Sequence, residues 1–119
     1  MPSDTPSKLD YAGPRVSVAA DEAATVMIDI LCGSGCGDDT ASCIADHLAD
    51  ASLSGVESHG VMRILQYVRQ FKSGYMRPVA NPFIAHRDGA FLTIDGDGGH
   101  GIPAMGTAFD ATVEAALDS

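Results

Sequence analysis

Basic residues are scarce in this chain. Its 119 residues include seven Lys and Arg against sixteen Asp and Glu, a formal net charge of −9. That balance argues against nucleic acid as a partner, because phosphate contacts need clustered cations. Long apolar runs are absent too, which excludes a membrane-spanning helix as the expected arrangement. Met1 to Val16 is polar, carries Pro2, Pro6 and Pro14, and lacks the apolar centre of a secretory signal. A cytoplasmic location is therefore expected, and residues 1–18 read as a disordered polar tail without a role in the fold. Cysteine is sparse: Cys32, Cys36 and Cys43 show neither a disulfide framework nor the short paired spacing of a zinc motif. They are expected to be reduced and partly buried. His47 lies four residues from Cys43, which invites a metal, but no second ligand pair follows and no metal site is expected.

The length suits one small domain, and a hydrophobic content of 45% is enough for a packed core. Apolar residues recur at helical spacing from about Ala20 to Leu31, with Ala23, Val26, Met27, Ile30 and Leu31 on one side. Gly33, Gly35 and Gly37 break that pattern. Asp38 and Asp39 offer a cap for a second helix over about Thr40 to Ala51. Its inward face is Ala41, Ile44, Ala45, Leu48 and Ala51, small enough for close packing against a neighbour. A third helix is expected from Ser58 to Gly74. Phe83 to His86 and Phe91 to Asp95 read as two short strands around a turn at Asp88-Gly89. About Ile102 to Leu117 is helical again. The fold class is therefore α/β mixed: N-terminal helices, a short strand pair and a following helix.

The third helix carries the candidate chemistry. His59, Arg63 and Tyr67 fall at i, i+4 and i+8, which places an imidazole, a guanidinium and a phenol along one helix face. Val61, Ile64, Leu65, Val68 and Phe71 centre on the opposite face. Ser58 is positioned to cap the helix start, leaving His59 near free backbone N–H groups and the positive end of the dipole. That set suits an anionic small molecule such as a carboxylate. The plainer alternative is a solvated polar face on an amphipathic helix. Charge distribution points the same way as the stripe. Residues 1–62 have a net charge of −8, residues 63–87 of +5 and residues 88–119 of −6. A local positive field beginning at Arg63 would attract an anion, or else those cations pair with surplus surface acids.

Gly96-Asp97-Gly98-Gly99-His100-Gly101 matches G-x-G-x-x-G between a strand and a helix, the placement a dinucleotide fingerprint needs. Asp97 opposes a pyrophosphate there by its charge, and no second strand with an acidic end follows. Asp95 and Asp97 hint at calcium, but Gly106 stands where an EF-hand loop needs its Glu.

Leu53-Ser54-Gly55-Val56-Glu57-Ser58-His59-Gly60-Val61-Met62-Arg63, with Tyr67 after it, resembles the signature of the malate/L-lactate dehydrogenase family. This type-2 group includes ureidoglycolate dehydrogenase, sulfolactate dehydrogenase and related imine reductases. The helix pair around Gly35-Cys36, Phe71-Lys72-Ser73-Gly74, Leu92-Thr93-Ile94-Asp95-Gly96, and the helix with Gly101, Ala104, Met105 and Ala108 extend the likeness from Ala19 onward. The resemblance implies part of a larger non-Rossmann NAD(P)-dependent dehydrogenase fold. Its helical substrate-side region would be 19–75, and 80–119 would begin the cofactor-domain sheet and helix. It implies hydride transfer between NAD or NADP and a 2-hydroxy or 2-keto acid, and a homodimer in full-length form. Carried over by position, Arg63 would pair with the substrate carboxylate and Tyr67 would donate a nearby hydrogen bond. His59 would contact substrate or the nicotinamide region and is the one candidate catalytic residue in the chain; Ser58 would hold the helix start. Family members are much longer, and their acid/base histidine and main cofactor contacts lie beyond the position matching Ser119. No cofactor-binding residue is assigned, and the expectation is an N-terminal portion inactive by itself. Two alternatives remain at this point: a non-catalytic binding or interaction module, and a Rossmann-type nucleotide binder using Gly96 to Gly101.

Overall fold

The computed structural model describes residues 13–118. Helix α1 spans Ala20–Gly33 and α2 spans Asp38–Leu53. Two single turns of 3-10 helix follow, Glu57–His59 and Val61–Arg63, and lead into α3, Ile64–Lys72. Strands β1, Phe83–Asp88, and β2, Phe91–Asp95, form an antiparallel hairpin, and α4, Gly101–Leu117, closes the order.

The core lies where α1, α2 and α3 meet. Met27 and Leu31 of α1 face Ala41, Ile44, Ala45 and Leu48 of α2, and Ile64 and Phe71 of α3 complete the cluster. Alanines at the contact let the α1 and α2 backbones approach closely. Every residue on the expected inner face of α2 from Ala41 to Leu48 is buried. On α1 only Met27 and Leu31 are; Val26 and Ile30 point outward. Asp38 and Asp39 are not the cap of α2. Gly37 holds that position, and the two carboxylates sit in the first turn, where the helix dipole favours negative charge. Cys36 is buried in the core, Cys32 half-buried and Cys43 exposed, all three as free thiols. Burial is the first cause raising all three thiol pKa values, so each thiol is held in its protonated form.

In the hairpin Phe83 lies opposite Asp95 and Asp88 opposite Phe91, with the register shifting between Ile84 and His86. Ala85 is the extra residue, so β1 bulges. Helix α4 rests on β2 and α2, packing Ala111 and Ala115 inward and leaving Met105, Phe109, Val113 and Leu117 exposed. Its first turn accommodates Pro103, whose missing N–H falls among the groups a helix start leaves unpaired. No helix among the described residues is long and apolar enough to cross a membrane.

Residues 1–12 of the expected tail lie outside the described residues. Arg15, within the same expected tail, is tied to the fold. Its guanidinium meets both carboxylate oxygens of Glu57, with Nη2 at 3.0 Å from Oε2. This pairing holds the Glu57 carboxyl below its ordinary pKa.

Candidate functional site

Ser52, near the end of α2, sets up the segment that follows. Its hydroxyl accepts the Val61 N–H at 2.9 Å, and its side chain lies across Gly60. A Cβ placed on Gly60 would fall 2.0 Å from Ser52 Oγ, closer than any atom pair tolerates. A side chain at position 60 would thus force Ser52 to move. Gly60 also divides the run into two turns, with φ −98° and ψ −149° at the break. The single helix expected from Ser58 onward is not formed: α3 begins at Ile64, and no side chain caps it. The Ser58 cap is likewise corrected. The hydroxyl is committed to the adjacent imidazole, at 2.9 Å from His59 Nδ1.

Ser58 nevertheless joins the candidate residues. While its hydroxyl meets His59, its backbone carbonyl accepts a 2.7 Å hydrogen bond from Arg63 Nε. Arg63 Nη1 donates to Gln66 Oε1 at 2.6 Å, and among the described residues Nη2 makes no hydrogen bond. The guanidinium is thus anchored on two sides with a donor edge to spare. His59 is exposed and Arg63 partly so. A serine hydroxyl can donate or accept. In the tautomer where His59 Nδ1–H donates to the Ser58 hydroxyl, the exposed ring's Nε2 keeps its lone pair free. Tyr67 sits one turn beyond Arg63 on α3. It is half-buried against the core, its ring edge-on to His100. Ser58, His59 and Arg63 are linked directly, whereas Tyr67 is held from the other side by a residue of the glycine loop.

His100 is the one buried polar residue among those described, at 7% exposure. Its Nδ1 accepts the Ile102 N–H at 3.1 Å and so caps α4. Burial, then the nearby His47, lowers its pKa to about 4. Ser52, Gln66 and His100 were not legible as site residues. The sequence signal for His100 was its place just before α4, where capping residues sit.

The glycine loop is filled by this chain itself. Arg77 N donates to Gly98 O at 2.8 Å. Arg77 Nη1 reaches Asp97 Oδ1 at 2.7 Å, and Asn81 N reaches Asp97 Oδ2 at 3.0 Å. A Cβ on Gly99 would stand 2.4 Å from the Ala80 Cβ. The segment 77–81 thus packs directly against the loop. The glycines admit that backbone, the Asp97 carboxylate remains there, and the two strands beside it are antiparallel. A pyrophosphate does not fit, and the Rossmann-type alternative is set aside.

A groove of about 510 Å³ between α2 and α4 is lined by Cys43, His47, Ile102, Met105, Phe109 and Asp110 among others. No group of three or more His, Cys, Asp or Glu among the described residues could hold a metal ion.

The chain matches known proteins in sequence and in fold. The sequence model of the family described as malate/L-lactate dehydrogenase matches residues 18–119. The chain belongs to that family. Its architecture is accordingly of the non-Rossmann dehydrogenase type. Hydroxycarboxylate dehydrogenase B of Escherichia coli O157:H7 is 35% identical over 82 residues, covering 69% of this chain and 23% of that protein. A delta(1)-pyrroline-2-carboxylate/delta(1)-piperideine-2-carboxylate reductase of Pseudomonas putida is 30% identical over 98 residues, covering 82% of this chain and 29% of its own length. The solved structure of malate dehydrogenase from Pyrococcus horikoshii OT3 superposes with a TM-score of 0.82 at 29% identity, over 87% of this chain and 30% of that one. The chain spans under a third of the length of each.

Proposed function

We propose that this chain supplies the carboxylate-binding part of an NAD(P)-dependent oxidoreductase acting on 2-hydroxy or 2-keto acids. The observation that carries the proposal is the 2.7 Å bond from Arg63 Nε to the Ser58 carbonyl. It fixes a guanidinium beside the exposed His59 with donors left for an anion. The relatives' names support the same class. Hydroxycarboxylates, malate and pyrroline-2-carboxylate share a carboxylate next to the carbon that gains or loses hydrogen.

In this proposal Arg63 takes the carboxylate through its spare donor edge, since a planar fork matches that group. Tyr67 lies one helical turn further along the same side and donates a hydrogen bond to the bound acid. His59, backed by Ser58, contacts the bound acid or the nicotinamide region. NAD(P), when bound, would exchange the hydride with the carbon. The described residues form no dinucleotide cradle, so no cofactor contact is assigned to them. Carboxylate capture, rather than turnover, is the activity assigned to residues 13–118. A homodimer, by resemblance, and a cytoplasmic location, from the polar N-terminal composition, belong to the same proposal.

Titration of the chain with pyruvate, followed by NMR, tests it. Arg63→Ala is expected to weaken binding at least about tenfold, the scale of a charge-assisted pair. Arg63→Lys is expected not to restore it, because lysine cannot keep the Ser58 contact and a free donor edge together. Equal pyruvate affinity in the native chain and Arg63→Ala would overturn the assignment.

A further inference from the structure

Tyr67 is the one candidate substrate contact that Ser58 does not hold. Its ring is half-buried, and its defined partner is an imidazole from a different part of the chain. The centroids of Tyr67 and His100 lie 4.2 Å apart at an interplanar angle of 80°, an edge-to-face contact. Phe71, one turn further along α3, stands 6.4 Å from the same imidazole.

We propose that His100 is a positioning residue: by capping α4 through Nδ1 while presenting its ring to Tyr67, it fixes the direction in which the Tyr67 hydroxyl points. The proposal rests on the carboxylate-binding reading for the use made of that hydroxyl, not for the contact itself.

Three features make the imidazole suited to this. The Ile102 N–H bond, at 3.1 Å, occupies Nδ1 and sets the ring plane relative to the helix start. Because Nδ1 accepts, the neutral ring carries its proton on Nε2. Burial disfavours the imidazolium, which would have no lone pair left on Nδ1 for the cap. The ring is also enclosed on several sides. Tyr67 and Phe71 face it from α3, and His47 acts on it from α2. Arg77 and Thr40 line the small cavity against it. A tyrosine ring has two soft torsions, and an edge-to-face partner on one side removes much of that freedom. The strand-to-helix loop and the substrate-side helix are thereby joined through two rings.

Capping and ring contact can be separated by substitution. His100→Asn keeps a side-chain acceptor for the Ile102 N–H, since asparagine is a strong cap, and removes the ring. His100→Phe keeps a ring against Tyr67 and removes the acceptor. If His100 positions Tyr67, the ring-current displacement of the Tyr67 ring protons is lost in His100→Asn and kept in His100→Phe. Pyruvate affinity falls about threefold to tenfold in His100→Asn and holds in His100→Phe, the range an aromatic pair supplies. Thermal stability runs the opposite way, with His100→Phe the less stable. A purely structural role makes affinity follow stability, and that result overturns the proposal. So do Tyr67 signals that stay in place in His100→Asn. Should a His100 variant not fold, Tyr67→Leu in the native background gives the reciprocal test: the His100 ring Hε1 resonance must move, and a stationary one refutes the contact. If the native chain ignores pyruvate while the ring protons report the contact, the carboxylate reading fails and the positioning of Tyr67 stands.

Discussion

The ring of Tyr67 on α3 stands edge-on to the ring of His100 at the start of α4, 4.2 Å between centroids. Thirty-three positions of sequence separate them, and between them run the end of α3, the linker and the whole hairpin. The contact joins the start of α4 to a candidate site residue.

Stability is expected to depend on pH through His100. Its pKa falls from an ordinary 6.5 in the unfolded chain to about 4 in the fold. Between those values the unfolded state binds the extra proton, so stability rises with pH. The contribution is fully present above about 6.5, declines as pH drops, and is gone below about 4. A shift of that size corresponds to ~3 kcal/mol. Urea unfolding at intervals from pH 4 to 7 should show the decline, and His100→Asn should flatten it. An equal slope in the variant would assign the dependence to other groups.

Gly60→Ala is expected to destabilise the fold by ~1–3 kcal/mol, the usual range for forcing an atom into a packed contact. The added Cβ meets Ser52 Oγ and Cβ. Combining it with Ser52→Gly removes both of those atoms, at the cost of the Val61 N–H acceptor. The double variant should therefore be more stable than the sum of the two single changes predicts. Chemical denaturation of the four proteins measures the coupling, and strict additivity would show that the clash is relieved elsewhere.

Asp97 is the one described non-glycine residue with a positive φ, 54°. It also accepts from Arg77 and from the Asn81 N–H. Asp97→Ala loses those bonds and keeps a Cβ in the left-handed region, so a loss of ~2 kcal/mol is expected. Asp97→Gly loses the same bonds without the backbone cost and should be the milder change. Melting curves of the two variants decide it; equal losses would mean the backbone is unstrained.

Most of the secondary structure was legible because its causes are local. The face of α2 from Ala41 to Leu48 follows from spacing along one helix, and the strands at Phe83 and Phe91 from short apolar runs around Asp88-Gly89. The family signature around Ser58-His59-Gly60 was legible for the same reason, being contiguous. Reading one continuous helix through it was the error. Periodicity ran across Gly60 without a break, and nothing near it in sequence announced that Ser52 leans over that position. The charge of Asp97 already argues against the glycine loop as a nucleotide site, but the loop's spacing does not reveal that residues 77–81 pack against it.

The sequence by itself determined most of the elements, the family and the presence of Ser58, His59, Arg63 and Tyr67 within one short stretch. Only the tertiary structure decided how they are held: Arg63 and His59 gathered by Ser58, Gly60 pressed by Ser52, and Tyr67 braced by His100. The physical reason is range. Hydrophobic spacing and turn chemistry act over a few residues, whereas side-chain orientation is set by whatever the packed core brings alongside from distant segments.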